Sequence, residues 1–231
     1  MKKLTDWLLS IILMLGIISI SVVVVLNFRG LYYFDIDYLN IPTLSGYTKE
    51  QILQNYNHLI DYNSMFYQGP LNFPSMGMSS SGRSHFEEVK EIFVLLQQIA
   101  IITTILGSIG IVWKLKQRQV QFFKYTCIIT IILPMLLGVL IALNWEKVFT
   151  LFHKITFSND DWLFDPITDP VINILPSSYF MHCAIMILLG VVLGSAVCGM
   201  ICWKLMRVPA NRLQERYPSA KFRKKVLFQN R

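Results

Sequence analysis

Four stretches of the chain carry no Asp, Glu, Lys or Arg: between Asp6 and Arg29, between Glu91 and Lys114, between Lys124 and Glu146, and from Tyr179 to Trp203. Each is long enough to cross the roughly 30 Å of bilayer hydrocarbon as an α-helix, which takes about 20 apolar residues. The pattern predicts an all-α integral membrane protein, a single membrane domain over 1–231 built as a four-helix transmembrane bundle. Its spans run over about 7–28, 92–113, 125–145 and 179–203. Two extracytoplasmic loops, 29–91 and 146–178, are expected to form a small cap, and a basic cytoplasmic tail covers 204–231. The first stretch is too long for a signal-peptide core and lacks a small-residue cleavage site, so it is expected to be retained.

The loops have periodicity of their own. Thr48-Lys-Glu-Gln51 reads as a capping box, followed by Ile52, Leu53, Tyr56, Leu59 and Ile60 at helical spacing. The segment from Pro70 to Gly82 is rich in Pro, Gly, Ser and Met and should be irregular or partly extended. Ser84-His85-Phe86-Glu87 reads as a second capping box, predicting a helix from His85 into the second span. His85 would then stand in the first turn, roughly 9 Å beyond Glu91 and at headgroup height. The positive helix end favours a neutral imidazole there, while Glu87 and Glu88 oppose the effect. In the second loop Trp145, Val148, Phe149, Phe152 and Ile155 recur at i, i+3, i+4 and i+7, predicting a helix lying in the interface with its apolar face in lipid. Gly190 and Gly194, followed by Ser195, Cys198 and Gly199, allow close approach of helix backbones in the fourth span. Pro134 is tolerable as a kink in the third.

Composition and charge sharpen the topology. The chain is 54% hydrophobic and 15% charged, against about a quarter charged for a soluble domain. The formal charge of +7 is not spread evenly. Fifteen of the 21 Lys and Arg residues lie at the N-terminus, in the Lys114–Lys124 turn and in the tail from Lys204, while 12 of the 14 acids lie in the two long loops. Basic residues near span ends mark the cytoplasmic side, so both termini are expected to be cytoplasmic and both loops extracytoplasmic. The tail, with Lys221, Arg223, Lys224 and Lys225, then reads as a topogenic, anionic-lipid contact and not a nucleic-acid site. Cys127, Cys183, Cys198 and Cys202 all fall in apolar stretches, which gives no disulfide framework; Cys198 and Cys202 share a helix face and read as small packing residues.

Candidate chemistry concentrates in the loops. His85, at headgroup height, is a candidate proton acceptor if neutral, or a polar residue filling a helix end; His153 stands next to the apolar face of the interfacial helix. Around His153 lies the run Phe157-Ser-Asn-Asp-Asp-Trp162-Leu-Phe164-Asp165-Pro166. Its Asn159, Asp160, Asp161 and Asp165 offer hard oxygens for a divalent cation, caps for a turn, or a partner that orients a histidine through its second nitrogen. His182, at the end of the fourth span, reads as a snorkelling residue, and His58 as a solvated one.

His85-Phe-Glu-Glu-Val-Lys90, Phe152-His153, the run 157–166 and Ile174-Leu-Pro176 together resemble the bacterial lipoprotein intramolecular transacylase (Lit) family. The resemblance covers nearly the whole chain. It implies an acyltransferase that moves the sn-2 acyl chain of a diacylglyceryl group to the α-amino group of the same lipoprotein's N-terminal cysteine, giving a lyso-form lipoprotein. It implies a catalytic pair, His85 and His153, no metal and no cofactor, and partners that are a diacylated lipoprotein and membrane lipids. His85 is expected as base and His153 as partner or acid; swapping them would not contradict the sequence. Asp160, Asp161 or Asp165 is expected to orient His153, Arg83 and Asn159 are the candidate oxyanion donors, and Trp162, Phe152 and Phe149 are the candidate substrate-binding residues.

Two rivals remain open at this level. Asp160-Asp161 with Asp165 is faintly similar to the acidic motifs of membrane prenyltransferases, which suggests a metal-dependent lipid transferase sensitive to chelators. A non-enzymatic four-span scaffold or transport accessory would tolerate loss of both histidines.

Overall fold

The computed structural model describes residues 2–207, so the basic cluster from Lys221 to Lys225 lies outside the described residues. The chain runs α1 (Lys2–Asn27), α2 (Arg29–Tyr38), α3 (Ile41–Ser45), α4 (Lys49–Tyr62), α5 (Ser80–Lys116), α6 (Gln121–Leu143), α7 (Trp145–Thr156), a 3-10 turn over Pro170–Asn173, and α8 (Ser177–Arg207). Helices α1, α5, α6 and α8 are the four long and apolar enough to cross a membrane.

Small residues decide how these four pack. Helix α1 is the hub, with extensive contact to α5, α6 and α8, and α6 also packs along α8. Gly190 and Gly194 sit against Ser21 and Ile17 of α1, as the small-residue spacing in α8 predicts. Gly107 and Gly110 of α5 meet Leu13 and Leu9 of α1. Ser195 donates to the carbonyl of Cys127 at 2.9 Å, joining α8 to α6. Cys198 and Cys202 pack with Phe122, Phe123 and Leu9 as free thiols. Since α5 leans on α1, it has no such seam with α6 or α8, and its opposite face is left toward lipid.

Far from the cap, Lys114 is fully buried and pairs with Asp6 at 2.7 Å. Its remaining protons go to Thr5 at 2.7 Å and Gln119 at 2.9 Å. A buried ammonium is tolerated only when it is satisfied in this way.

At the opposite end the loops build a cap with its own apolar core. Tyr32, Ile36, Ile41, Ile52, Tyr56 and Leu71 from the first loop close over Val171, Ile174 and Leu175 from the second. Helix α4 starts where the sequence predicts. Thr48 accepts from the backbone of Gln51 while Gln51 caps Thr48 in return, an arrangement worth about 1 kcal/mol. The Tyr32 hydroxyl donates to the Ile174 carbonyl, and Arg29 reaches Asn57 and Asp61, so the two loops and the helix ends form one packed body.

The start of α5 departs from expectation. The helix begins at Ser80, with Ser79 as its cap accepting from Gly82, and Ser84 lies inside it. The deciding partner comes from the second loop. Buried Asp169 accepts from the Ser79 backbone at 2.8 Å and sets its carboxylate against Gly82, where a Cβ would collide with it. An anion at this helix end is favoured by the dipole. His85 therefore stands in the second turn, and its protonation state is set by burial and neighbours more than by the helix end.

Candidate active site

Helix α7 presents His153. Asn144 caps it, accepting from Lys147 at 3.0 Å, and none of its residues is buried in protein. Phe152 and Ile155 point outward at 56% and 76% exposure, as an interfacial helix requires. Trp145 holds the helix to α8 by donating to the Ser177 carbonyl at 3.0 Å.

His85 comes from α5 and His153 from α7, and their ring centres are 6.0 Å apart. Aromatic side chains enclose both. Phe157 packs at 4.7 Å and Phe164 at 5.4 Å against His85. Phe149 at 4.4 Å, Trp162 at 4.9 Å and Phe152 at 5.4 Å surround His153. The expected substrate-binding residues Phe149, Phe152 and Trp162 thus all touch the imidazole of His153.

Both imidazoles are held neutral. Burial pushes the His85 pKa down to about 4; the neighbouring His153 pushes the same way and Asp161 opposes. His153 is also lowered by burial, against the effect of its hydrogen bond to Phe149. That bond, Nδ1 to the Phe149 carbonyl at 2.8 Å, fixes the tautomer. A carbonyl only accepts, so Nδ1 carries the proton and Nε2 keeps its lone pair. His85 Nδ1 is buried without a hydrogen-bond partner among the described residues. An orphaned acceptor is more readily borne than an orphaned N–H, which favours the tautomer with the proton on Nε2.

The supporting residues divide. None of Asp160, Asp161 and Asp165 bonds to His153: its own helix backbone supplies the orienting acceptor. Asp161 acts on His85 through its charge, Asp165 accepts from Ile167 in a turn, and Asp160 is exposed. Asn159 is the organiser of the run. It donates to Glu88 Oε1 at 2.8 Å, accepts from Asp161 N at 3.1 Å, and its carbonyl accepts from Trp162 Nε1 at 3.1 Å. Arg83 donates to the Leu71 carbonyl at 2.9 Å in the cap. It lies two residues from His85, hence on the other side of α5.

Sequence reasoning missed two groups. Asp35, fully buried, accepts from His182 Nδ1 at 2.9 Å, so His182 is a hydrogen-bond partner that joins α8 to α2. His58 is partly buried edge-on to Tyr67 at 6.0 Å, not fully solvated. The signal for Asp35 was an acid amid the aromatic run Tyr32–Tyr38, close after the first span.

Bundle, cap and imidazole pair define a membrane-integral protein with two close histidines in an aromatic enclosure between its cap and its spans. The chain belongs to the lipoprotein intramolecular transacylase family Lit, whose sequence pattern matches residues 7–180, and is therefore an acyltransferase. It is similar to the in meso structure of the membrane-integral Lit of Bacillus cereus, at 41% identity and a TM-score of 0.88, covering 91% of this chain and 97% of that one. The H85R variant of the Bacillus cereus protein aligns at 40% identity and a TM-score of 0.81, covering 92% and 94%. Its H85A variant gives 41% and 0.81, covering 91% and 95%. No curated protein matches in sequence.

Proposed function

We propose that the enzyme transfers the sn-2 acyl chain of a diacylglyceryl-cysteine to the α-amino nitrogen of the same cysteine, using His85 and His153. The N–C bond forms as the ester C–O bond breaks. One proton leaves the amine and one reaches the glycerol oxygen, so atoms balance without a second substrate. Ester to amide runs downhill, and no energy source is required.

The observation that carries this reading is the 6.0 Å approach of two neutral imidazoles inside an aromatic enclosure. His153, with Nδ1 tied to Phe149, offers Nε2 to the amine and then returns the proton to the departing glycerol oxygen. His85, kept uncharged, offers an N–H to the carbonyl oxygen as negative charge develops there. This assignment reverses the expected order of base and partner, on the strength of the Phe149 bond. Holding nitrogen and carbonyl carbon at attack distance supplies up to about 7–11 kcal/mol in favourable cases. The basic residues at the inner turn and the acidic cap support an extracytoplasmic active site with cytoplasmic termini.

Mass spectrometry of a native lipoprotein's N-terminal peptide, from cells with and without the enzyme, tests the reading. The acyl chain should move from glycerol to nitrogen with no change in total mass. An unchanged acyl position would end it.

A further inference from the structure

Glu88 leaves a carboxylate oxygen that the fold does not explain. It lies one turn along α5 from His85, a rise of about 4.5 Å. Its Oε1 accepts from Asn159, but its Oε2 is buried and has no partner among the described residues. A buried, unpaired carboxylate oxygen is costly unless something else satisfies it. Beside it is a cavity of 570 Å³ walled by Glu88, Glu91, Ile92, Leu95, Lys154 and Phe157. Phe157 is also the ring packed on His85 at 4.7 Å, so cavity and imidazole share a wall. Ile92 and Leu95 continue the same wall down α5 into the spanning segment. The rim holds two carboxylates to one ammonium, and Lys154 forms no ion pair with either. The cavity is thus acidic above and apolar below.

From this geometry we infer that Glu88 is the receptor for the substrate's free α-ammonium, so the enzyme selects unacylated lipoproteins and lets go of its own product. The inference rests on the transacylase reading above. Oε2 is sealed from solvent as it stands, so the carboxylate turns toward the cavity that its side chain lines to meet the three donors of a primary ammonium, while the acyl chains lie along Ile92 and Leu95. When the amine becomes an amide, charge and two donors disappear and the attraction goes with them. Glu88 stabilises the charged amine, so its contribution is to binding and placement. The ammonium must first give one proton to bulk water, and the neutral amine then gives its second to the imidazole as it attacks.

The test uses the full-length enzyme in lipid nanodiscs and an unreactive probe, a cysteine lipopeptide whose glycerol carries ether-linked chains. Three versions are compared: free α-amine, N-acetylated, and α-hydroxyl in place of the amine. The wild type should bind the free amine at least tenfold more tightly than either neutral version. Glu88→Gln, which keeps the acceptor for Asn159, should bind all three alike, and as the wild type binds the acetylated one. Equal binding of the three probes by the wild type overturns the inference, as does a Glu88→Gln variant that retains the tenfold preference. If Glu88→Gln binds none of them, the wild-type preference decides alone. Acyl movement on the ester-linked substrate is scored separately. Transfer without amine preference sinks only the role of Glu88, whereas no transfer by the wild type sinks the reading beneath it.

Discussion

Asn159 donates its side-chain amide to Glu88 Oε1 at 2.8 Å and so ties the second loop to the helix that carries His85. The same residue caps the turn that places Asp161 and Trp162, one acting on each histidine. A single amide therefore links the two segments that carry the histidines proposed as the catalytic pair.

Replacing it should misplace the pair without unfolding the protein. Asn159→Ala is expected to lower kcat about 100-fold, the scale of a displacement near 1 Å. Asn159→Asp, which sets a carboxylate against Glu88, should be slower still. Single-turnover acyl transfer, with melting temperature as control, separates this from loss of fold.

Loss of either imidazole should be severe. His153→Ala and His85→Ala are each expected to reduce transfer by about 10²–10⁴-fold, with the double variant hardly worse than the slower single, because the two act on one transition state. Quantified N-acyl product from a synthetic diacylglyceryl lipopeptide gives the answer.

Acidity should act late. With His85 lowered to about 4 and His153 also below its ordinary value, the acid limb of kcat should lie below the ordinary histidine range. Asp161 raises the His85 pKa, so Asp161→Asn should move that imidazole's titration lower, as followed by NMR of the ring protons. The folded state binds fewer protons than the unfolded one between about pH 6.5 and 4. Stability is therefore expected to fall with pH through that window, and to fall less in His85→Ala.

The seat of Asp169 on Gly82 should be sensitive to one methyl group. Gly82→Ala forces the carboxylate off the start of α5 and is expected to cost about 1–3 kcal/mol, the range for overpacking. Asp169→Ala, losing the bond to Ser79, should cost about 0.5–2 kcal/mol. Chemical denaturation in detergent measures both.

The four spans were legible because a charge-free stretch of that length has few other uses, and α7 because its apolar residues keep helical spacing on a short segment. The tautomer of His153 was not legible: its acceptor is a backbone carbonyl, which every residue has. The beginning of α5 was misplaced because Ser79 and Ser84 both suit a cap. The choice between them is made by Asp169, 90 residues away in the chain. Asp35 with His182 and Asn159 with Glu88 escaped for the same reason. Polar pairs between distant segments leave no local period, and the histidine pair itself stood out only through family resemblance.

Helix α7 buries none of its residues in protein, so its outer face is left to lipid. His85 rides on a spanning helix, while the segment of His153 is moored at two points, by Trp145 to α8 and by Asn159 to α5. The pair is therefore held by protein and open on one side to the bilayer, the side from which a membrane-anchored lipoprotein would arrive.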